Sequence, residues 1–396
     1  MELALWLLAF SLSALLAIPT VIYAIECIAG SLPVRSKLRR ADGLRPPVAI
    51  LVPAHDEMRG IEATLKSILS QMHEGDRLLV VADNCTDNTA EIARAAGAEV
   101  LERFDPVNRG KGYAVDFGLK HLSVSPPSVV VFVDADCTLL DGTLDELARL
   151  VSATGRPVQS CNLMTTPAGH KSKLGIAEFA FRVKNLVRPR GLSRLGLPCL
   201  LTGTGMALPW ALVAKVQFAR HDLVEDMRLG VDLAAAGHAP VYCEAAGVRS
   251  FFPETASGML SQRSRWENGH LSMVMACLPR LFTRRTLGNR DCLALTLDIM
   301  VPPLTLLVCA QALAITAGLL VALFDFGRAP LAIGIAGAFL IVTSTAIAWA
   351  THGRDVVPIG TVLKIPSYML GKVRIYDRLV SGRMEQIWVR TDRSRL

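Results

Sequence analysis

The chain has 396 residues, 51% of them hydrophobic, with a mean hydropathy of +0.38 and a formal net charge of +7. It is too apolar for an ordinary soluble enzyme, and too charged through its middle to consist only of membrane spans. The nine cysteines form no C-x-x-C pair and no Cys/His group at zinc spacing, which argues against a disulfide framework or a zinc site and for a reducing cytoplasm.

Residues 1–30 predict an N-terminal transmembrane helix, because positions 3–29 are apolar over a length that crosses a hydrocarbon core of roughly 30 Å. No basic segment precedes the stretch and it is too long for a secretory h-region. The linker 31–46 carries Arg35, Lys37, Arg39, Arg40 and Arg45 against Asp42 alone, so the positive-inside rule places it and the domain after it in the cytoplasm, with the N-terminus outside. Lys and Arg cluster beside the apolar segments, which fits anionic membrane lipids as the partner and not nucleic acid.

From 47 to 271 short apolar runs alternate with helical stretches: "VAILVPA", "RGIEATLKSILSQ", "RLLVVAD", "NTAEIARAAG", "AEVLER" and then "SVVVFVDADC". This alternation predicts an α/β domain with a mostly parallel sheet and helices on both faces. Three of its strands end in polar groups: His55, Asp56 and Glu57; Asp83 and Asn84; Asp134 and Asp136. In a parallel sheet ligands sit outside the carboxyl ends of the strands, so these groups describe a pocket.

A basic interfacial segment, 272–292, with Arg280, Arg284, Arg285 and Arg290, leads to a transmembrane hairpin at 293–351. Its apolar runs are 293–324 and 331–350, joined by "DFGRAP". The first run is longer than one span requires and contains Asp298, Pro302, Pro303 and Gln311, so its beginning belongs in the interface or beside a cavity. The tail, 352–396, mixes aromatic, aliphatic and basic residues and reads as a cytoplasmic amphipathic helix on the inner leaflet. The result is a multi-pass protein of the inner membrane, with three crossings and a cytoplasmic catalytic domain.

Several chemistries use acids at strand ends. No G-x-G-x-x-G or lysine-bearing glycine loop follows the first strand, against dinucleotide and P-loop folds, and "GTGMAL" serves a tight turn. "VFVDADCT" also fits an aspartyl-phosphate phosphatase with Asp134 as nucleophile, although such enzymes carry the motif on their first strand. The other reading is sugar transfer from a nucleotide diphosphate, for which Asp134 and Asp136 would hold Mg²⁺ or Mn²⁺ against the diphosphate.

Five features decide between them: "PAHDE" at 53–57, "ADNCTDNT" at 82–89, "NRGKGYA" at 108–114, "DADC" at 134–137, and the pair "VEDMRLG" and "QRSRW" at 224–230 and 262–266. In these the chain resembles membrane-integrated family-two glycosyltransferases, the group that includes cellulose, hyaluronan and exopolysaccharide synthases. The resemblance implies the GT-A fold and a role for each motif residue. Asp83 contacts the nucleotide base, with Pro53, Ala54 and Glu57 close to the ribose. A helix N-cap is the structural alternative for Asp83 and Asn84. Lys111 contacts the diphosphate or base, and Asp134 and Asp136 bind nucleotide and metal. Asp226 matches the general base and Glu225 tunes it; an acid pair opening a helix also has a favourable dipole interaction. Arg263 and Arg265 face the donor phosphates, whereas Gln262, Trp266, Thr202 and Gly203 belong to the acceptor side.

The expected activity is inverting transfer of a sugar, from a UDP-linked donor, to a lipid-linked or polysaccharide acceptor at the cytoplasmic face. The setting is exopolysaccharide or cell-surface glycan synthesis, within a secretion or assembly complex. A processive synthase would have more spans and a gating segment. A non-catalytic scaffold that keeps the fold would have lost one of the competent positions.

Overall fold

The computed structural model describes residues 2–33, 45–166, 171–219, 224–253, 255–362, 364–365 and 367–369. In chain order, α1 (Glu2–Ser31) precedes β1 (Val48–Ala54), α2 (Ile61–Leu69), β2 (Arg77–Asp83), α3 (Thr89–Ala95), β3 (Glu99–Arg103), α4 (Lys111–Leu122) and β4 (Val129–Phe132). Then come β5 (Thr138–Leu139), α5 (Thr143–Thr154), β6 (Val158–Thr165), α6 (Lys171–Arg182), a π-helical turn (Val183–Val187) and α7 (Arg188–Arg194). They are followed by β7 (Met206–Pro209), α8 (Trp210–Val213), α9 (Glu225–Ala235) and β8 (Val241–Phe251). The remainder is helical: α10 (Ala256–Cys277), α11 (Arg284–Leu287), α12 (Arg290–Ile299), α13 (Leu304–Leu323), α14 (Ala329–His352) and α15 (Ile359–Val362). Contacts group the described residues of 45–166 and 198–269 into one unit, and those of 2–33, 171–197 and 270–369 into another.

The first unit is built on an eight-stranded sheet of order β3-β2-β1-β4-β7-β6-β8-β5. β1 runs parallel to β2 and β4, β2 to β3, and β6 to β8. β7 is antiparallel to β4 and β6, and β5 to β8. Side chains alternate across the strands and both faces are covered, which is why these strands read as continuous apolar runs. Ile50 and Val52 pack with Ile61 and Leu65 of α2 and Leu147 of α5. Ala49 and Leu51 face the other way, with Val115 and Leu119 of α4 and Leu229 of α9. Because β1 lies between β2 and β4 and all three are parallel, their polar ends open at one edge of the sheet.

The other unit contains three helices long and apolar enough to cross a membrane: α1, α13 and α14. The run from 293 divides: α12 stops at Ile299 and α13 starts at Leu304, because Pro302 and Pro303 lack the amide hydrogens a continuous helix needs. Residues 171–197, inside the range expected for the catalytic domain, pack here. A Cβ added at Gly30 would lie 1.9 Å from the Val187 carbonyl oxygen, and one at Gly191 2.1 Å from that of Glu26, so backbone touches backbone. Between these contacts, Arg188 Nε donates to Glu26 Oε2 at 2.6 Å, and Nη2 reaches both the Asp298 carboxylate and its carbonyl oxygen. Burial opposes the charge of Arg188, yet Glu26 and Asp298 raise its pKa above the ordinary value. The amphipathic tail from 370 onward and the basic linker at 34–44 lie outside the described residues.

Candidate active site

Lys111 is the first residue of α4, delivered by Gly110, whose φ of 125° only glycine adopts readily. Its ammonium pairs with Asp134 Oδ1 and donates to the Gly203 carbonyl oxygen at 2.8 Å. Gly203 is left-handed, at φ 79°, and an added Cβ would come within 3.1 Å of Asp226 Oδ2 and 3.2 Å of Lys111 Nζ. One lysine therefore has the acid after β4 and the acid pair of α9 around it, in space that a side chain at 203 would fill. The turn is held from behind: the Asp134 amide donates to Thr204 Oγ1 at 3.1 Å, and Gln159 Nε2 donates to the Thr204 carbonyl at 2.9 Å. Thr202 donates its amide to Gln159 Oε1 at 2.9 Å. A cavity of about 210 Å³ opens on Lys111, Gly203, Glu225 and Asp226 and continues along Leu229 and Leu233.

Glu225 and Asp226 occupy the first turn of α9, so the dipole interaction is present. Burial, and then the neighbouring Asp226, push the Glu225 carboxyl up to about 7, against the pull of Lys111. A raised carboxyl pKa means that the fold favours the protonated form. Its stabilisation is complete below the ordinary 4.5 and is lost as pH rises through about 7. In detergent-solubilised protein, the thermal midpoint of the wild type should fall relative to that of Glu225→Gln between about pH 5 and 8. Parallel midpoints would refute the shift.

Asp134, Asp136 and Cys137 bring ligand atoms within 4.8 Å of one another. Cys137 is buried, its thiol pushed well above the usual range first by burial and then by Asp136 and Asp134, and it donates to Asp136 Oδ1 at 3.1 Å. What remains for an ion is a pair of carboxylates, the oxygen donor set that a hard divalent cation takes. A second group, Asp56, Cys85 and Asp87, is a loop staple: Asp56 Oδ1 accepts the Thr86 amide at 2.6 Å, and Asp87 accepts those of Thr89 and Met58.

Asp83 ends β2 and is buried, but neither it nor Asn84 caps a helix; α3 starts at Thr89, whose amide is taken by Asp87 Oδ1 at 3.0 Å. Instead Asp83 is held by Arg103, its register partner on β3, with Nη1 2.6 Å from Oδ1. Sequence reasoning missed Arg103, Thr204 and Gln159, because each acts through strand register or a turn that no motif marks. Pro53 and Ala54 close β1, and Glu57 donates its amide to Thr89 Oγ1 at 2.8 Å in the turn after it. Gln262 is buried on α10, where Arg263, Arg265 and Trp266 are half-buried, all within two helical turns.

A mostly parallel sheet with acids at its carboxyl edge and helices on both faces is the GT-A arrangement, and residues 46–269 match the family described as Glycosyltransferase like family 2. The chain belongs to that family. It is 24% identical over 254 residues to poly-beta-1,6-N-acetyl-D-glucosamine synthase of Staphylococcus aureus, covering 60% of this chain and 58% of that protein. The synthase of the same description from Staphylococcus epidermidis is 24% identical over 266 residues, covering 64% and 61%. The chain thus spans less than two thirds of the curated relatives it matches. Among solved structures, the mannosyltransferase PcManGT from Pyrobaculum calidifontis, in complex with GDP-Man and Mn²⁺, has the same fold. It superposes with a TM-score of 0.57 at 17% identity, over 90% of this chain and 99% of that one.

Proposed function

We propose that the chain is an inverting transferase that moves a sugar from a UDP-linked donor to a lipid-linked or polysaccharide acceptor at the cytoplasmic membrane face, in exopolysaccharide or cell-surface glycan synthesis. The observation that carries this reading is Lys111, set between Asp134 and the Gly203–Asp226 corner. A diphosphate brought to Lys111 and Asp134 lies beside a carboxylate that can serve the acceptor.

Asp226 takes the acceptor hydroxyl proton as the oxygen bonds to the anomeric carbon, and the bond from that carbon to the diphosphate breaks on the opposite side. Lys111 faces the phosphate oxygens, and burial, which raises the Glu225 carboxyl to about 7, lessens the negative charge beside it. Asp134 and Asp136 would hold Mg²⁺ or Mn²⁺, which when bound neutralises charge on the departing diphosphate. Asp83 meets the base, with Pro53, Ala54 and Glu57 near the ribose. Arg263 and Arg265 approach the donor phosphates; Gln262, Trp266, Thr202 and Gly203 serve the acceptor. Of the range 47–271, residues 47–166 and 198–269 form the catalytic unit, and the helices at 1–30 and 293–351 anchor the protein in the membrane with the N-terminus outside.

Purified protein in inner-membrane vesicles, given Mn²⁺ and a panel of nucleotide sugars, should release UDP from a UDP-sugar and label the lipid or glycan fraction. Absence of turnover with every donor would remove the proposal.

A further inference from the structure

Arg103 neutralises only half of Asp83. Oδ1 accepts two donors, Arg103 Nη1 at 2.6 Å and Asn84 Nδ2 at 3.0 Å, whereas Oδ2 has no partner among the described residues. The Asp83 side chain is 9% exposed, at the edge where β1, β2 and β4 end. Arg103 cannot swing away cheaply. Its Nη2 also donates to Asp105 Oδ2 at 2.9 Å and to the Asn108 carbonyl at 2.8 Å, and its guanidinium lies 5.8 Å from the centre of the Tyr113 ring. Asn84, itself at φ 51°, is locked to the same loop by the Arg103 carbonyl at 2.7 Å and the Asp105 amide at 2.8 Å.

We infer that Arg103 is a specificity-determining residue: together with Asn84 it fills both lone pairs of Asp83 Oδ1 and leaves Oδ2 as the one open oxygen, which matches a nucleobase presenting one N–H and disfavours one presenting two side by side. Uracil offers only N3–H between two carbonyl oxygens. Guanine offers N1–H and an exocyclic N–H side by side, and needs both oxygens of a free carboxylate. In the pocket one guanine donor would be left unpaired, and a buried donor without a partner costs about ten-fold or more in affinity. The inference rests on the base contact proposed for Asp83, and it selects a uridine over a guanosine diphosphate sugar as donor.

The test is binding of UDP and GDP to the full chain in detergent with Mn²⁺, by calorimetry, apart from any sugar transfer. Wild type should bind UDP about ten-fold or more tightly than GDP, and N3-methyl-UDP should lose a similar factor. Arg103→Gln should bring the UDP-to-GDP ratio toward one, whereas Arg103→Lys, which keeps a cation on Oδ1, should preserve it. A role confined to holding the loop would lower both affinities alike and leave that ratio unchanged, which would overturn the inference. Equal wild-type affinities, or tight binding of N3-methyl-UDP, would overturn it without any variant. If neither nucleotide binds, the proposed function falls as well.

Discussion

Asp226→Asn should lower the rate of sugar transfer by about 10²–10⁴-fold while UDP binding changes little. The substitution keeps the size of the side chain and removes its negative charge and with it the ability to accept a proton. Asp226 stands at the start of α9, beside Gly203 and across from the lysine that is paired with Asp134, so the loss should appear in kcat and not in nucleotide affinity. Glu225→Gln should cost much less, because an amide is close to the neutral acid that burial already favours there. Radiolabel transfer into membrane lipid measures the first number, and calorimetry with UDP the second. Full activity in Asp226→Asn would move the base elsewhere.

Arg188→Ala should be the most damaging change outside the unit that carries Lys111, Asp134 and Asp226. Removing the guanidinium leaves Glu26 and Asp298 buried with no cation between them, a loss of about 3–5 kcal/mol for breaking a buried ion pair. Arg188→Met combined with Glu26→Gln and Asp298→Asn should recover most of the stability, since matched neutral groups avoid the desolvation that makes the broken pair costly. Thermal unfolding in one detergent, read for the single and the triple variants, decides this. An unchanged midpoint in Arg188→Ala would show that the triad contributes nothing.

Much of the site is legible along the chain. "VAILVPA", "RLLVVAD" and "SVVVFVDADC" are apolar because both faces of their strands are covered, and polar residues end or follow each of them at the carboxyl edge of the sheet. Less legible is β7: "MALP" is too short for any periodicity, yet its antiparallel entry beside β4 puts Gly203 and Thr204 against Lys111 and Asp134. Arg103 is invisible for another reason. It is one more charged residue at a strand end until the register of β2 and β3 sets it opposite Asp83.

By itself the sequence determined the helices long and apolar enough to cross a membrane and the acids at the strand ends, since a long apolar run and a buried strand ending in carboxylates follow from hydrophobic burial along a local stretch of chain. Tertiary structure alone decided which charges are neighbours: Lys111 with Asp134 and Asp226, Asp83 with Arg103, Arg188 with Glu26 and Asp298. Ion pairing depends on distances of a few ångströms between residues far apart in the chain, and those distances exist only after strand order and helix packing have been settled.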